Sequence, residues 1–232
     1  MDHGQDRVTV MELGVRQASA NRLAVLECLV IKNAKQGFRV LEVGSYEGES
    51  ALVWSAAIVK YYGHGSVLCV DPWRPYLSPE NMIGNPACER MQEDLASGQV
   101  LGRFLLNTTL ADSQAPIRCL VGTLKDYVSV LKMLPPFDLV YIDGDHVYER
   151  VLEDIQLAQP LVRVGGVMCG DDLEIQLDGV VRAEAERLKY IQYYREYHPG
   201  VTLAVGQVFG PVWAEDAVWA VRRTAEGWER YT

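Results

Sequence analysis

The chain alternates short apolar runs with longer stretches in which apolar residues return every three or four positions. From Val8 to Lys35, the residues Val15, Ala18, Leu23, Leu26 and Val30 keep helical spacing, which predicts one or two helices, with Gly37 as the stop signal. Phe38–Val43 then reads as a short strand, followed by Gly44 and Gly48. Ser50–Tyr62 is helical in pattern and closed by Gly63 and Gly65, and Ser66–Val70 is a second buried strand ending at Asp71 and Pro72. The unit recurs. Ile117–Val121, Phe137–Ile142 and Val167–Gly170 read as strands, and Thr123–Leu134, Tyr148–Val162 and Val180–Tyr194 as helices. Strands alternating with helices of this length require βαβ crossovers and a parallel sheet covered on both faces.

Two segments leave this rhythm. Val201–Val208 and Ala217–Arg222 are strand-like runs joined by a short Gly-Pro loop, which predicts an antiparallel hairpin closing one sheet edge. Trp73–Asp112 is rich in Pro, Asn and Gly, with a helix expected near Cys88–Ala96. An insertion of that length inside a compact domain is usually functional, often a lid. The expected organisation is one domain over 1–232, with an N-terminal helical cap over 1–36 and an insertion over 73–112 as lid and acceptor region.

Composition narrows the class. With 49% apolar and 23% charged residues, the chain reads as an ordinary globular protein. A net charge of −9 leaves no global basic face, which argues against nucleic acid as a main partner. The five cysteines are scattered and show no CxxC, so neither a zinc knuckle nor a disulfide framework is expected. Cys69, Cys119 and Cys169 lie in apolar runs and read as buried thiols of a reducing compartment. Met1–Arg7 is polar, no apolar stretch approaches a membrane span, and the expected location is cytoplasmic with no membrane partner. The apolar N-terminal helices would suit a homodimer.

In a parallel sheet, ligands bind beyond the carboxyl ends of the strands. Glu42, Gly44, Tyr46, Gly48 and Ser50 follow the first strand, and the glycines let the backbone turn sharply near a ligand. Asp71 ends the second strand, where an acid can accept hydrogen bonds from both hydroxyls of a ribose. Tyr46 stands where a dinucleotide-binding loop needs glycine, so a nucleoside without a pyrophosphate is expected. Taken singly, the glycines would serve only a tight turn and Asp71 only the Pro72 turn. Asp143, Asp145 and His146 follow the fourth strand, and Asp171 and Asp172 the fifth. Carboxylates gathered there repel one another unless a cation neutralises them or protons are retained. Their hard oxygens suit Mg²⁺ or Ca²⁺. Helix caps would account for one residue per turn, but hardly for all four. His146 is placed to take a proton from a bound hydroxyl.

At these residues the chain resembles class I S-adenosylmethionine-dependent methyltransferases. It is most like the cation-dependent O-methyltransferases of the catechol type and the macrocin-type bacterial relatives that modify sugars and natural products. The likeness covers roughly Phe38 to Arg187 and rests on the glycine motif, VDPW (Val70–Trp73), FDLVYIDGDHVYERV (Phe137–Val151) and GGVMCGDD (Gly165–Asp172) in that order. It implies a Rossmann-like seven-stranded sheet, mostly parallel, with an antiparallel C-terminal hairpin. It implies that Glu42, Gly44, Tyr46 and Ser50 surround the methionyl part of the cofactor, with Gly48 in the same loop. It places Asp71 on the ribose, and Gly122, Thr123 and Leu124 under the adenine. Asp143, Asp171 and Asp172 match the metal ligands, for Mg²⁺ or another divalent ion such as Ca²⁺ or Mn²⁺. Asp172 replaces an Asn of the catechol type, and His146 falls where those enzymes place a catalytic lysine. His146 and Asp143 are thus the catalytic candidates.

Trp73, Arg74 and Tyr76 open the insertion and are expected to cover the site, with Trp73 near the cofactor. Asn81, Asn85 and Asn107 are candidates to meet a polar acceptor. Tyr190, Tyr193, Tyr194 and Tyr197 are expected to cluster in part on one helix face. The leading expectation is methyl transfer to a hydroxyl of a small molecule or sugar, assisted by a divalent metal. A metal-independent methyltransferase and a non-catalytic cofactor-binding protein are the alternatives, with an NAD-dependent enzyme further off.

Overall fold

The structure is a computed structural model that describes residues 19–33, 36–82 and 85–232. The helical pattern around Val15 and Ala18 lies outside the described residues. Ser19 caps α1 (Ala20–Ile31), its side chain accepting the Arg22 N–H, and Val25, Leu26, Leu29 and Val30 are buried. β1 (Phe38–Val43) leads into α2 (Glu49–Tyr62) and β2 (Gly65–Asp71). The insertion folds into a 3₁₀ turn and two helices, α3 (Pro86–Ala96) and α4 (Gln99–Thr108). Asn85 caps α3 with Pro86 at its first position, the arrangement that best starts a helix.

β3 (Ile117–Val121), α5 (Leu124–Leu131), β4 (Phe137–Ile142), α6 (Tyr148–Ala158) and β5 (Val162–Gly170) continue the alternation. α7 (Arg182–Leu188), α8 (Pro199–Phe209), β6 (Trp213–Glu215), β7 (Val218–Arg223) and β8 (Trp228–Arg230) complete the chain. The sheet order is β3-β2-β1-β4-β5-β7-β6, with β8 also paired to β7. β1 to β5 pair in parallel, and β7 runs antiparallel to β5. Successive side chains of a strand face opposite sides. Accordingly Val40 packs with Trp54 and Leu29 on the α1/α2 face, while Leu41 packs with Val128, Ile155 and Val205 on the α5/α6/α8 face. All six residues of β4 are buried, as a central parallel strand requires. The order reverses between β1 and β4, and that crevice is where such sheets bind ligands.

The Rossmann-like expectation holds, with corrections at the C-terminal end. Eight strands are present among the described residues, not seven. Val201–Val208 is not a strand but lies within α8, which is buried along most of its length. A short run rich in Val and Leu does not distinguish a buried helix from a strand by periodicity, and Pro199 at the first helical position decides for helix. The hairpin is made instead by β6 and β7 around Asp216 and Ala217. Both turn residues have positive φ, 48° and 67°, as the two-residue turn matching strand twist demands. The helix expected over Val180–Tyr194 is confined to α7. Tyr190, Tyr193, Tyr194 and Tyr197 therefore share no helix face, and Tyr194 and Tyr197 pair in an isolated bridge. Cys69 and Cys169 are buried, but Cys119 is half-buried because β3 is an edge strand.

Candidate active site

The loops after β1, β2, β3, β4 and β5 open onto one cavity of about 910 Å³. Gly44, Tyr46 and Ser50 line it from β1–α2, Asp71 from β2, and Gly122, Thr123 and Leu124 from β3–α5. Asp143 and His146 face it from β4–α6, and Asp171 and Asp172 from the end of β5. Three expected cofactor residues do not line it. Glu42 is fully buried behind the wall, accepting the Trp54 indole N–H at 2.8 Å. Gly48 begins α2 against Phe104. Trp73 is buried with its ring 4.7 Å from Phe104 and its indole N–H donated to the Tyr46 carbonyl.

Close packing explains the glycine at position 44. Its φ is +84°, and a Cβ there would stand 2.1 Å from the Asp143 carbonyl oxygen, so only glycine lets the β1 and β4 loops touch. Asp71 fastens the same loop. Its Oδ2 accepts the N–H groups of Ser45 (2.8 Å) and Tyr46 (3.0 Å), and Oδ1 accepts that of Trp73 (2.6 Å). Burial raises the Asp71 pKa, and these three donors pull against the shift. Tyr46, Trp73 and Asp172 all have positive φ, at 43°, 43° and 63°. Such conformations are costly for non-glycine residues and concentrate at functional loops. The insertion braces this side. The Tyr46 hydroxyl donates to Asp94 of α3 at 2.8 Å, Arg103 of α4 pairs with Glu47 at 2.5 Å, and Asn107 donates to the Glu47 carbonyl. Asn81 bonds the Tyr190 carbonyl and Asn85 caps α3, so all three asparagines have structural partners. Arg74 and Tyr76 line the cavity.

The acidic end carries its own counter-charges. Arg22 of α1 lies 3.0 Å from Asp171 and 3.7 Å from Asp172. His146 Nε2 is 2.7 Å from Asp172 Oδ2, and His198 Nδ1 is 3.7 Å from Asp172 Oδ1 and 3.0 Å from Glu174. Gln192 sits against the other His146 ring nitrogen. Burial and the neighbouring carboxylates push Asp143 well above the usual carboxylate range. Burial and Asp172 take Asp171 to about 7, with Arg22 opposing. Burial would raise Asp172 too, but His146, His198 and Arg22 outweigh it and hold its pKa low. Burial pulls His146 down while Asp172 lifts it more, leaving it raised. None of the acidic residues caps α6, whose N-cap is Val147; Asp145 instead accepts the Val147 N–H at 2.8 Å in the turn before the helix and pairs with Arg150 at 2.7 Å. Arg22, His198 and Gln192 were not among the expected site residues. They lie far from the strand-end motifs in sequence and carry no local signature, although His198 directly precedes the Pro199 that starts α8.

An eight-stranded, Rossmann-like sheet with a large cavity and an acidic cluster at its carboxyl edge defines the class I methyltransferase architecture. The methyltransferase-domain family matches residues 41–173, more than half of the chain, and the chain belongs to that family. Among solved structures, the chain is similar to the O-methyltransferase NovP, with 21% identity over 88% of this chain and 80% of that one, and a TM-score of 0.58. It is also similar to CalS11, described as a TDP-rhamnose 3′-O-methyltransferase of calicheamicin biosynthesis, with 16% identity over 91% and 83% of the two chains and a TM-score of 0.54. At these identities the likeness is one of fold. No curated protein matches the chain. Among the described residues, no helix is long and apolar enough to cross a membrane.

Proposed function

We propose that this methyltransferase moves the methyl group of S-adenosylmethionine to a hydroxyl oxygen of a small-molecule or sugar acceptor, with a divalent cation assisting. The observation that carries the reading is the convergence of Gly44, Asp71, Asp143, His146, Asp171 and Asp172 on one cavity. Asp71 offers its remaining lone pairs to the ribose hydroxyls, and the β1–α2 loop surrounds the methionyl part. The cavity's main contribution is to hold the acceptor oxygen in line with the methyl, an advantage of up to about 7–11 kcal/mol when geometry is well fixed. The acceptor's proton goes to the imidazole of His146, whose other ring nitrogen donates to Asp172, so that the carboxylate stabilises the imidazolium formed.

The donor set fits a divalent ion. Asp143 makes no side-chain hydrogen bond among the described residues, and burial together with the charges of Asp171 and Asp172 raises its pKa against the pull of Arg22, an environment that a further positive charge would relieve. Asp143, Asp171 and Asp172 are the carboxylates that would hold the ion, although among the described residues the three donor atoms already within 4.8 Å of one another are those of His146, Asp172 and His198, so Asp143 and Asp171 would have to draw in on binding. A bound divalent ion would favour the ionised form of an acceptor hydroxyl. One observation favours the metal-independent alternative, namely that Arg22 already supplies positive charge to Asp171.

The test is methyl transfer from labelled S-adenosylmethionine to a panel of diols, catechols and sugar nucleotides, with calorimetry of S-adenosylhomocysteine and of Mg²⁺ on the same protein. Labelled methyl ethers formed only with the ion present support the proposal. Full turnover in chelator selects the metal-independent reading, and failure to bind S-adenosylhomocysteine overturns both.

A further inference from the structure

We propose that Asp154 reads the Watson–Crick edge of the cofactor's adenine as a protonated acid, accepting a hydrogen bond from N6 and donating one to N1. The proposal rests on the reading of the cavity as an S-adenosylmethionine site. Asp154 belongs to α6 and lines the cavity, with Oδ2 only 3.6 Å from the position a Cβ on Gly144 would take. Among the described residues its carboxyl group has no hydrogen-bond or ion-pair partner. Val43, Val70 and Leu124 line the same cavity and supply the apolar surface that a flat purine needs.

The chemistry selects Asp154 by what its neighbours lack. The edge of adenine presents one donor at N6 and one acceptor at N1, so its complement must offer one of each. The Thr123 hydroxyl donates to Asp126 at 2.7 Å, and Lys125 is paired with Glu153 at 2.6 Å. Arg74 lines the cavity but is a donor only, which the N6 amino group cannot use. A carboxylic acid carries both functions, whereas a carboxylate carries only the acceptor. The charged groups around Asp154 are Asp145, itself paired with Arg150, and Glu153, paired with Lys125. Burial, aided by the negative charges of Asp145 and Glu153, pushes Asp154 to about 7. The protonated form is thus substantially populated near neutral pH.

The experiment is calorimetric titration of the full chain with S-adenosylhomocysteine from about pH 6 to about pH 9, for the wild type, Asp154→Asn and Asp154→Ala. The wild type is expected to lose affinity above pH 7, approaching about tenfold per pH unit as the required proton becomes scarce. Asp154→Asn presents the same acceptor and donor at every pH, so it should bind tightly without that slope. Asp154→Ala should bind about tenfold or more weakly at pH 6, where two hydrogen bonds are lost. Equal affinity of Asp154→Ala and wild type at pH 6 overturns the assignment, as does a wild-type slope retained by Asp154→Asn. Because the asparagine variant is isosteric, it decides the question even should the alanine variant fold poorly. A wild type that binds no S-adenosylhomocysteine at any pH instead overturns the cofactor reading beneath it, so the two failures are distinct.

Discussion

The Arg22 guanidinium lies 3.0 Å from the Asp171 carboxylate, tying the first described helix to the end of β5. The contact is partly buried, with side-chain exposures of 24% and 7%, so solvent screens it only in part. Removing Arg22 leaves Asp171, Asp172 and Asp143 facing one another with less compensating charge. Arg22→Gln should lower stability by about 1–3 kcal/mol at neutral pH, discounted from a fully buried pair for its exposure. If a divalent ion takes the same carboxylates, Mg²⁺ should raise the melting temperature of the variant more than that of the wild type. Thermal melts with and without the ion read both effects.

Gly44 makes a purely steric prediction. Gly44→Ala brings a Cβ to 2.1 Å from the Asp143 carbonyl oxygen, backbone against backbone, at a φ of +84°. Neither side can yield by a rotamer change, so the cost should be about 2–4 kcal/mol or more. Urea unfolding measures it, and S-adenosylhomocysteine affinity should fall in parallel because the loops after β1 and β4 move apart.

Asp71→Asn tests the anchor of the β1–α2 loop. The carboxylate accepts three backbone N–H groups through two oxygens, and an amide must turn its NH₂ toward at least one of those donors. The expected loss is about 1–3 kcal/mol of stability for a buried donor left unpaired. Cofactor affinity should drop by more than the stability loss alone predicts, since the same side chain is assigned to the ribose. Calorimetry alongside chemical denaturation separates the two.

These outcomes bear on what a linear pattern can and cannot carry. β1 and β4 were legible to the residue because a buried parallel strand is a mostly apolar run bounded by turn residues, and the edge strand β3 because Pro116 and Gly122 bound its short run. The strand-end motifs were legible because a parallel sheet brings the ends of its strands together whatever lies between them. α8 was not legible, since its Val-rich sequence matches either period. Arg22 and His198 were not, because their partners lie well over a hundred residues away in one case and across a loop and a helix in the other. Glu42 and Trp73 were expected in the cofactor site but lie behind its wall, because their depth is set by the packing of α2 and α4, which no local motif records.

Glu42 gives the clearest dependence of stability on pH. Burial lifts its pKa from 4.5 to about 7, against the hydrogen bonds from Ser45, Ser50 and Trp54. Between those two values the folded chain keeps a proton that the unfolded chain has released. Stability conferred by the neutral form is therefore complete below about pH 4.5, falls as pH rises towards 7, and is constant beyond. The total is up to about 3 kcal/mol. Glu42→Gln keeps an oxygen for the Trp54 indole but cannot ionise. The variant should match the wild type at low pH and exceed it at pH 8, a divergence read by urea unfolding across that range.

His146 separates binding from chemistry. Its ring lies between Gln192 and Asp172, 2.7 Å from the latter, and its edge meets His198 at 4.3 Å between centroids. None of these contacts reaches the loops assigned to the cofactor, so His146→Gln should leave S-adenosylhomocysteine affinity nearly unchanged. Loss of the proton acceptor should lower kcat by about 10²-fold or more. A substrate with a more acidic hydroxyl needs less help in losing its proton, so a catechol should be hurt less than a sugar alcohol by the same substitution. Parallel losses for both acceptors would assign His146 to positioning Asp172 rather than to proton transfer. Rates for the two acceptor types, measured at saturating cofactor, decide between these roles.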